Sequence, residues 1–415
     1  MTEHNNTPES VNNPSDRQNN PTPTTPRVVV RGNNDITSRI ITDIDYVPAL
    51  KRNLKPSNYT QELTNPAYGL LEVDEASQYQ FDELLESAVS IKTIGVGSSQ
   101  ENLKQDARVI KFDDDFLQAL VELGKYNEAL WQPKAGNPTC CSWHWIVAKN
   151  DNLPEYTQNR LVISQGNVGS CSGQAATNAA QLTKLVRRAF GIESKYEAVN
   201  RIATWYASKN NSMIGGQVLS YMMEYMVSMG MFLESWVGTS ISTAPTKYKD
   251  FRNEAKEFQC YACPIKWEST AQVARVIMLA CKAGFAVSVG NTRWPVNKNQ
   301  QAKGPARAVF SGGGGHATGV CDWRPKTVYK DGFVFPEAVF FNNSHGDKYT
   351  GKSDDFEPKY GVWLTEPDVV SYLGTAKNFG SPIIYMSEVT LANAPTLNLE
   401  NVYKYQVPNG IEIAV

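Results

Sequence analysis

Three short segments of this sequence hold residue types that do chemistry together, and they follow one another in the order Cys, His, Asn. The first reads Ser164-Gln165-Gly166-Asn167-Val168-Gly169-Ser170-Cys171-Ser172-Gly173-Gln174-Ala175. Cys171 opens an Ala-rich stretch that predicts a helix. A helix N-terminus offers free N–H groups and a partial positive charge, and both favour a thiolate. The thiolate is the nucleophilic form of cysteine. Gln165 lies six residues upstream across a Gly-containing turn, within reach of the place where an oxyanion would form beside the Cys171 N–H. A buried cysteine at an ordinary helix start is the competing structural reading. The second segment is Gly312-Gly313-Gly314-Gly315 followed by His316-Ala317-Thr318-Gly319-Val320. Glycines before a histidine let other backbone approach it, and the apolar strand that follows would hold it rigid; a satisfied loop histidine is the alternative. The third is Phe341-Asn342-Asn343-Ser344-His345-Gly346. An Asn at a strand end can accept from one His ring N–H and turn the imidazole toward a cysteine. The same residues also suit a plain turn.

The elements that must position these residues are legible in outline. Ser170–Phe190 reads as a helix with Lys184, Arg187 and Arg188 in its last turns and Gly191 just beyond. Gln217–Met231 and Ala271–Ala283 are two more helices, the last stopped by Gly284. Strands are expected at Phe285–Val289, His316–Val320, Ala338–Asn342 and Tyr360–Leu364. Helices come first and strands later, which is an α+β order. Upstream, Ile36–Ile44 has strand-like content, Glu72–Val89 reads as a helix, and Val109–Phe112 as a short strand. Asp113-Asp114-Asp115 can cap a helix at Phe116–Tyr126, with Phe116, Leu117, Leu120, Val121 and Leu123 as its apolar stripe.

His316 follows Cys171 by 145 positions, inside the ~130–150 separation of papain-type cysteines from their downstream partners. Here the sequence resembles the papain-like cysteine peptidases. Gln165, Gly166, Gly169, Ser170 and Cys171 fall in register with that family's nucleophile motif. Gly315-His316-Ala317 is similar to its His segment, and Asn343-Ser344-His345-Gly346 to its Asn-Ser-Trp-Gly. Gly215-Gly216, the helix after it, Gly230-Met231-Phe232 and Glu234-Ser235-Trp236 resemble the stretch between them, and Ala280–Val289 its helix-to-strand element. The likeness covers roughly 161–390.

The resemblance implies a two-lobed α+β fold, with a helical lobe carrying Cys171 and an antiparallel, barrel-like β lobe carrying His316 and Asn343. It implies a cysteine endopeptidase acting on protein or peptide without a cofactor: Cys171 as nucleophile, His316 as its ion-pair partner and acid, Asn343 as the group orienting His316, and Gln165 as oxyanion donor. Three positions depart from the family: Val168 replaces a cysteine, Ser172 replaces the Trp after the nucleophile, and His345 replaces the Trp over the Asn–His contact. The family's pro-segment signature is not apparent upstream. These departures keep open a second reading, a weakly active or inactive papain-like module serving as a structural component of an assembly such as a viral particle. A Cys–His hydrolase of cell-wall peptides ranks behind both.

The chain divides into a leader (1–26), an N-terminal extension of unknown role (27–140), the peptidase-like domain (141–390) and a polar tail (391–415). Eighteen of the 26 leader residues are Asn, Pro, Thr or Ser, a composition that cannot bury enough surface to order itself. Residues 1–140 are the place where a protein partner would bind. The 40 Lys and Arg against 42 Asp and Glu exclude a globally basic nucleic-acid binder. No apolar run is long enough for a membrane span; Val218–Leu233 comes nearest and contains Glu224. No signal peptide is visible, so the expected location is cytoplasmic or assembly-associated. Seven cysteines are too few for a disulfide scaffold, and their odd number leaves at least one thiol outside any intramolecular pairing. Cys260-Tyr261-Ala262-Cys263 is a single C-x-x-C, short of the four ligands of a structural zinc site. Cys140-Cys141 adds only an awkward adjacent pair. Cys321, His144 and Trp205 read as packing.

Overall fold

A computed structural model of the 415-residue chain describes residues 69–91, 108–130, 165, 168–189, 198–209, 216–238, 247–296, 309–328, 332, 334–344 and 361–386. All of them belong to one compact unit, Tyr46–Val415. The leader, the Ile36–Ile44 strand, Cys140, Cys141, His144, His345 and the C-terminal tail lie outside the described residues.

Among the described residues two helices precede the nucleophile segment: α1 (Glu75–Glu86) and α2 (Asp114–Leu130). Each starts where an Asp supplies a cap. Ser77 N–H donates to Asp74 Oδ1 at 2.8 Å, and Phe116 N–H to Asp113 Oδ1 at 3.0 Å. Among the described residues three longer helices follow, α3 (Cys171–Ala189), α4 (Arg201–Ser208) and α5 (Leu219–Ser228), and then single helical turns at Glu234–Val237 and Arg252–Ala255. Strand β1 (Tyr261–Pro264), helix α6 (Thr270–Lys282), and strands β2 (Ala286–Val296) and β3 (Val309–Arg324) come next. The two-residue strands β4 (Thr327–Val328) and β5 (Val334–Phe335) form a hairpin of their own. Strands β6 (Ala338–Asn342) and β7 (Gly361–Leu364), helix α7 (Glu366–Leu373) and strand β8 (Ile383–Met386) complete the order.

Six strands form one antiparallel sheet in the order β1-β8-β2-β3-β6-β7. Its strands are apolar on both faces because both faces are covered. Successive residues of a strand point to opposite sides, and here they enter two different cores. In β6, Ala338 and Phe340 join the core of α3 and α5, while Val339 and Phe341 join the core of α6 and α2. In β8, Ile383 and Tyr385 face the first core, and Ile384 and Met386 the second. The antiparallel sheet expected around His316 and Asn343 is therefore the middle layer between helices. Among the described residues β1 and β7 stand at its two ends.

The residues upstream of Cys171 are built into the same cores. Leu70, Phe81 and Val109 belong to the first, and Ile110, Phe116, Leu120 and Leu123 to the second. Phe116 and Leu120 are wholly buried, and each such side chain contributes ~1.5–3 kcal/mol by leaving water. The region 108–112 is not an independent strand: Ile110 bridges Val89, and Val109 bridges Ala262 at the sheet's β1 end.

Residues 171–183 of helix α3 are all buried, the polar ones included. Its Ala175, Ala176, Ala179 and Ala180 let the sheet approach. Several of its buried polar side chains are hydrogen-bonded. Thr177 Oγ1 donates to Gly173 O at 2.6 Å, Thr183 Oγ1 to Tyr385 O at 2.9 Å, and Gln181 Oε1 accepts from Val199 N–H at 3.2 Å. Gly173 has no room to be anything else, since a Cβ there would lie 2.4 Å from Trp205 Cβ. Trp205 itself is wholly buried, as a packing residue should be. Among the described residues no helix is long and apolar enough to cross a membrane.

Candidate active site

Cys171 is the first residue of α3 and is fully buried. The turn before it is tight: Ser170 N–H donates to Val168 O at 2.7 Å, and Val168 N–H to Gln165 O at 3.2 Å. This turn aims the start of the helix and brings Gln165 back toward it. The Gln165 side chain is fully buried, and its Nε2 donates to Val168 O at 3.0 Å.

His316 is also fully buried, in the middle of β3. Gly312–Gly315, expected before the strand, lie inside it. Asn291 of β2 pairs with His316, yet Arg293, two residues on, pairs with Gly312, four residues back. The extra residues on β3 form a bulge beside His316. A second irregularity follows, where Val320 pairs with Phe341 but Asp322 with Phe340. Bulges bend a strand and re-aim its side chains. Between the bulges Gly319 pairs with Asn342. The next residue, Asn343, leaves the strand, and its Oδ1 lies 3.0 Å from His316 Nε2 in a buried contact. An amide oxygen only accepts, so this contact assigns the proton to Nε2.

Helix α3 lies along β3. A Cβ on Gly319 would sit 3.7 Å from Ala175 O and 3.9 Å from Asn178 Nδ2. The helix that starts at Cys171 and the strand that carries His316 are thus direct neighbours. Ser344 ties the Gln165 turn to the Asn343 segment: Gln165 N–H donates to Ser344 O at 2.9 Å, and Ser344 Oγ to Gln165 Oε1 at 2.5 Å. Tyr372 of α7 closes the back of the site. Its hydroxyl bonds Thr318 Oγ1 at 3.0 Å, its ring packs edge-on to Phe341, and its carbonyl accepts from Asn291 Nδ2. Burial pushes the Tyr372 hydroxyl pKa up, the Thr318 bond pulls it down, and the charge of a Cys171 thiolate would push it up again.

A strap of backbone, Gly69–Val73, crosses beside both chemical segments. Gly69 O accepts from Gln217 N–H at 2.9 Å, Leu71 N–H donates to Gln217 O at 3.3 Å, and Leu70 N–H donates to Gly315 O at 3.2 Å. A Cβ on Gly69 would lie 2.0 Å from Gly169 O, and one on Gly315 would lie 2.0 Å from Leu70 O. The strap therefore touches the residue two before Cys171 and the residue immediately before His316. Leu70 settles over Gly290, whose own Cβ would meet Leu70 Cδ2 at 2.5 Å and Phe379 Cβ at 2.8 Å. At the far end, Val73 N–H donates to Asn378 O at 2.9 Å, and Ser77 of α1 bonds the Tyr221 hydroxyl at 2.8 Å.

No family profile and no curated protein sequence is similar to the chain at a significant level. Solved structures similar to it are cysteine proteases. Xylellain, a cysteine protease from Xylella fastidiosa, is 14% identical over 55% of this chain and 82% of that one, with a TM-score of 0.38. Procathepsin L 3 from the larval midgut of Tenebrio molitor is 12% identical over 79% and 97%, with a TM-score of 0.36. The Carica candamarcensis cysteine protease CMS1MS2, solved with E-64, is 12% identical over 60% and 99%, also at 0.36.

The remaining described thiols differ in setting. Burial pushes the Cys263, Cys281 and Cys321 thiols well above their ordinary range, with Asp113 adding to this at Cys263 and Asp322 at the other two. Cys260 is buried beside β1, and Cys263 within it. Among the described residues no cluster of His, Cys, Asp and Glu could hold a metal ion. Sequence reasoning missed the strap, the Ser344 bridge to Gln165, and Tyr372. Gly315 carried the one usable signal, since a glycine beside a chemically placed His admits close backbone approach.

Proposed function

We propose that the chain is a papain-like cysteine endopeptidase whose site is Cys171, His316, Asn343 and Gln165. The observation that carries this reading is the buried 3.0 Å contact between His316 Nε2 and Asn343 Oδ1, on a strand packed against the helix that Cys171 begins. With Nε2 held as donor, Nδ1 is the nitrogen that exchanges a proton with the thiol. The Cys171 thiolate adds to a peptide carbonyl, and the oxyanion is met by Gln165 Nε2 and the Cys171 N–H. His316 gives its proton to the leaving amine, leaving a thioester on Cys171. Water then adds to the thioester with His316 as base, releasing the acid and the thiol.

Substrate cannot reach Cys171 while it and His316 are both buried and the strap Gly69–Val73 lies over their flanking residues. The strap is therefore a cover that leaves its place before turnover. The regions 69–91 and 108–130 serve the peptidase domain as part of its core. His316→Ala is expected to lower kcat on an unstructured protein substrate by about 10²–10⁴-fold, the usual worth of a general acid–base group, with the urea midpoint held within the range of a single buried substitution. Unchanged kcat in a folded His316→Ala chain would remove His316 from the site.

A further inference from the structure

At the Pro264 end of β1, helix α1, the residues just before α2, the loop from β1 to α6 and the residues before β8 form a cavity of about 480 Å³, inside the size range of sites that hold a ligand. Its floor is apolar: Phe81 and Ile265 are buried, and Leu85 and Trp267 are half-buried beside them. Its mouth is basic. Lys111, Lys266 and Lys377 line it, each exposed and each from a different segment, and no acidic residue among the described ones lines it. The whole chain is nearly balanced, with 40 Lys and Arg against 42 Asp and Glu. Three cations with no anion are therefore a local bias and not the average surface.

We propose that this cavity binds an acidic peptide segment, which seats one large apolar side chain on the floor and lays its carboxylates against the three lysines. An apolar anchor in a pocket with complementary charge around it is how such a segment is held. Three cations on separate segments exceed what a single carboxylate can meet, so the occupant carries several acids. A sulfated polysaccharide would satisfy the lysines but leave the apolar floor unfilled. The nearby acids leave the lysines available. On α1, Gln78, Phe81 and Leu85 face the cavity at i, i+3 and i+7, whereas Glu83 and Glu86 accompany Tyr79, which is 65% exposed, on another face. Asp82 accepts from Gln78 Nε2 at 2.8 Å, Asp74 caps α1, and Asp113 caps α2. Glu268 lies 3.4 Å from Lys266 Nζ, but both side chains are exposed, and such a pair is too weak to hold Lys266 from an incoming carboxylate. Two of the cavity's walls belong to the extension 27–140, where a protein partner was expected. None of its lining residues is in the candidate active site, so the proposal does not depend on the peptidase reading.

The test is titration calorimetry on the full chain with a short, end-blocked peptide of Asp and Glu around one central Phe. Saturable binding at one site is expected. Exchanging the peptide's Phe for Ser should weaken it at least about tenfold, the worth of one buried large apolar side chain. Lys111→Ala, Lys266→Ala and Lys377→Ala should each weaken it about two- to fivefold, as single exposed ion pairs do, and added salt should weaken it further. These lysines are exposed, so their exchange leaves the core intact, and an unchanged urea midpoint checks this in each variant. Binding that is indifferent to the Phe exchange, with heparin displacing the peptide, would mean a plain polyanion surface and overturns the proposal. Unchanged affinity in the triple lysine variant overturns it as well, as does the lack of saturable binding into the millimolar range.

Discussion

Cys171→Ala is expected to abolish peptide hydrolysis while the chain stays folded. Removing the nucleophile of a concerted site costs kcat by at least about 10⁴-fold. The fold should tolerate the change, because alanine keeps the Cβ at the first position of α3 and the helix beyond it is held by its own buried contacts. Truncating one buried sulfur costs on the order of 1 kcal/mol, which a urea titration would register as a small shift in midpoint. Full hydrolysis by a folded Cys171→Ala chain, on every substrate the parent cleaves, would exclude Cys171 as the nucleophile. Loss of activity together with unfolding would say only that the helix start is structural, so both are measured on the same preparation.

The second large effect concerns the strap. A side chain at position 69 has nowhere to go: its Cβ would lie 2.0 Å from the oxygen of Gly169, 2.2 Å from its carbonyl carbon and 2.6 Å from its Cα. These are backbone atoms of the turn leading to Cys171, and they do not swing aside as a flexible side chain would. Gly69→Val should therefore lift the strap and expose the site. The strap is held by four backbone hydrogen bonds, to Gln217 N–H, Gln217 O, Gly315 O and Asn378 O, each worth ~0.5–1.5 kcal/mol net. The buried Leu70 side chain adds ~1.5–3 kcal/mol. Part of that is offset by the entropy of ordering the strap. Each ~1.4 kcal/mol is a factor of ten in the open population, so Gly69→Val is expected to raise the rate of Cys171 alkylation at least about tenfold. Leu70→Ala, which keeps the backbone bonds and loses the side-chain contact, should fall between Gly69→Val and the parent. An alkylation rate unchanged by both substitutions would mean that the strap does not limit access.

The chemistry-bearing residues were legible before the fold because they sit at element boundaries that the sequence marks strongly. Cys171 starts an Ala-rich helix with a basic end, and the structure begins α3 at that residue. A strand is expected near Ala338–Asn342, and β6 spans those residues. The Asp113 cap and the Phe116, Leu120 and Leu123 stripe of α2 were visible because local capping and a 3.6-residue period act within the segment. Misreadings came where long-range packing overrides local preference. Four consecutive glycines look like a loop, yet here they belong to a bulged strand because β2 pairs with Gly312 and His316 on either side of the bulge and Leu70 crosses at Gly315. Helices α4 and α7 are short, and their residues are buried by partners far away in sequence. The strap was invisible for the same reason. Nothing in Gly69-Leu70-Leu71-Glu72-Val73 announces three hydrogen bonds to residues 217 and 315, because such pairing is a property of the folded chain.

The most direct test of the account is the rate at which each cysteine is modified by a thiol-directed epoxide inhibitor of papain-like enzymes near neutral pH, resolved by peptide mapping in the Gly69→Val chain. Cys171 begins a helix, on an element packed against the strand that holds His316, whereas burial drives the Cys263, Cys281 and Cys321 thiols up and keeps them protonated. Cys171 is expected to be modified faster than every other cysteine in the chain, and this advantage is expected to disappear in His316→Ala. Modification of Cys171 no faster than that of the other cysteines, in a folded chain with the strap displaced, would contradict it.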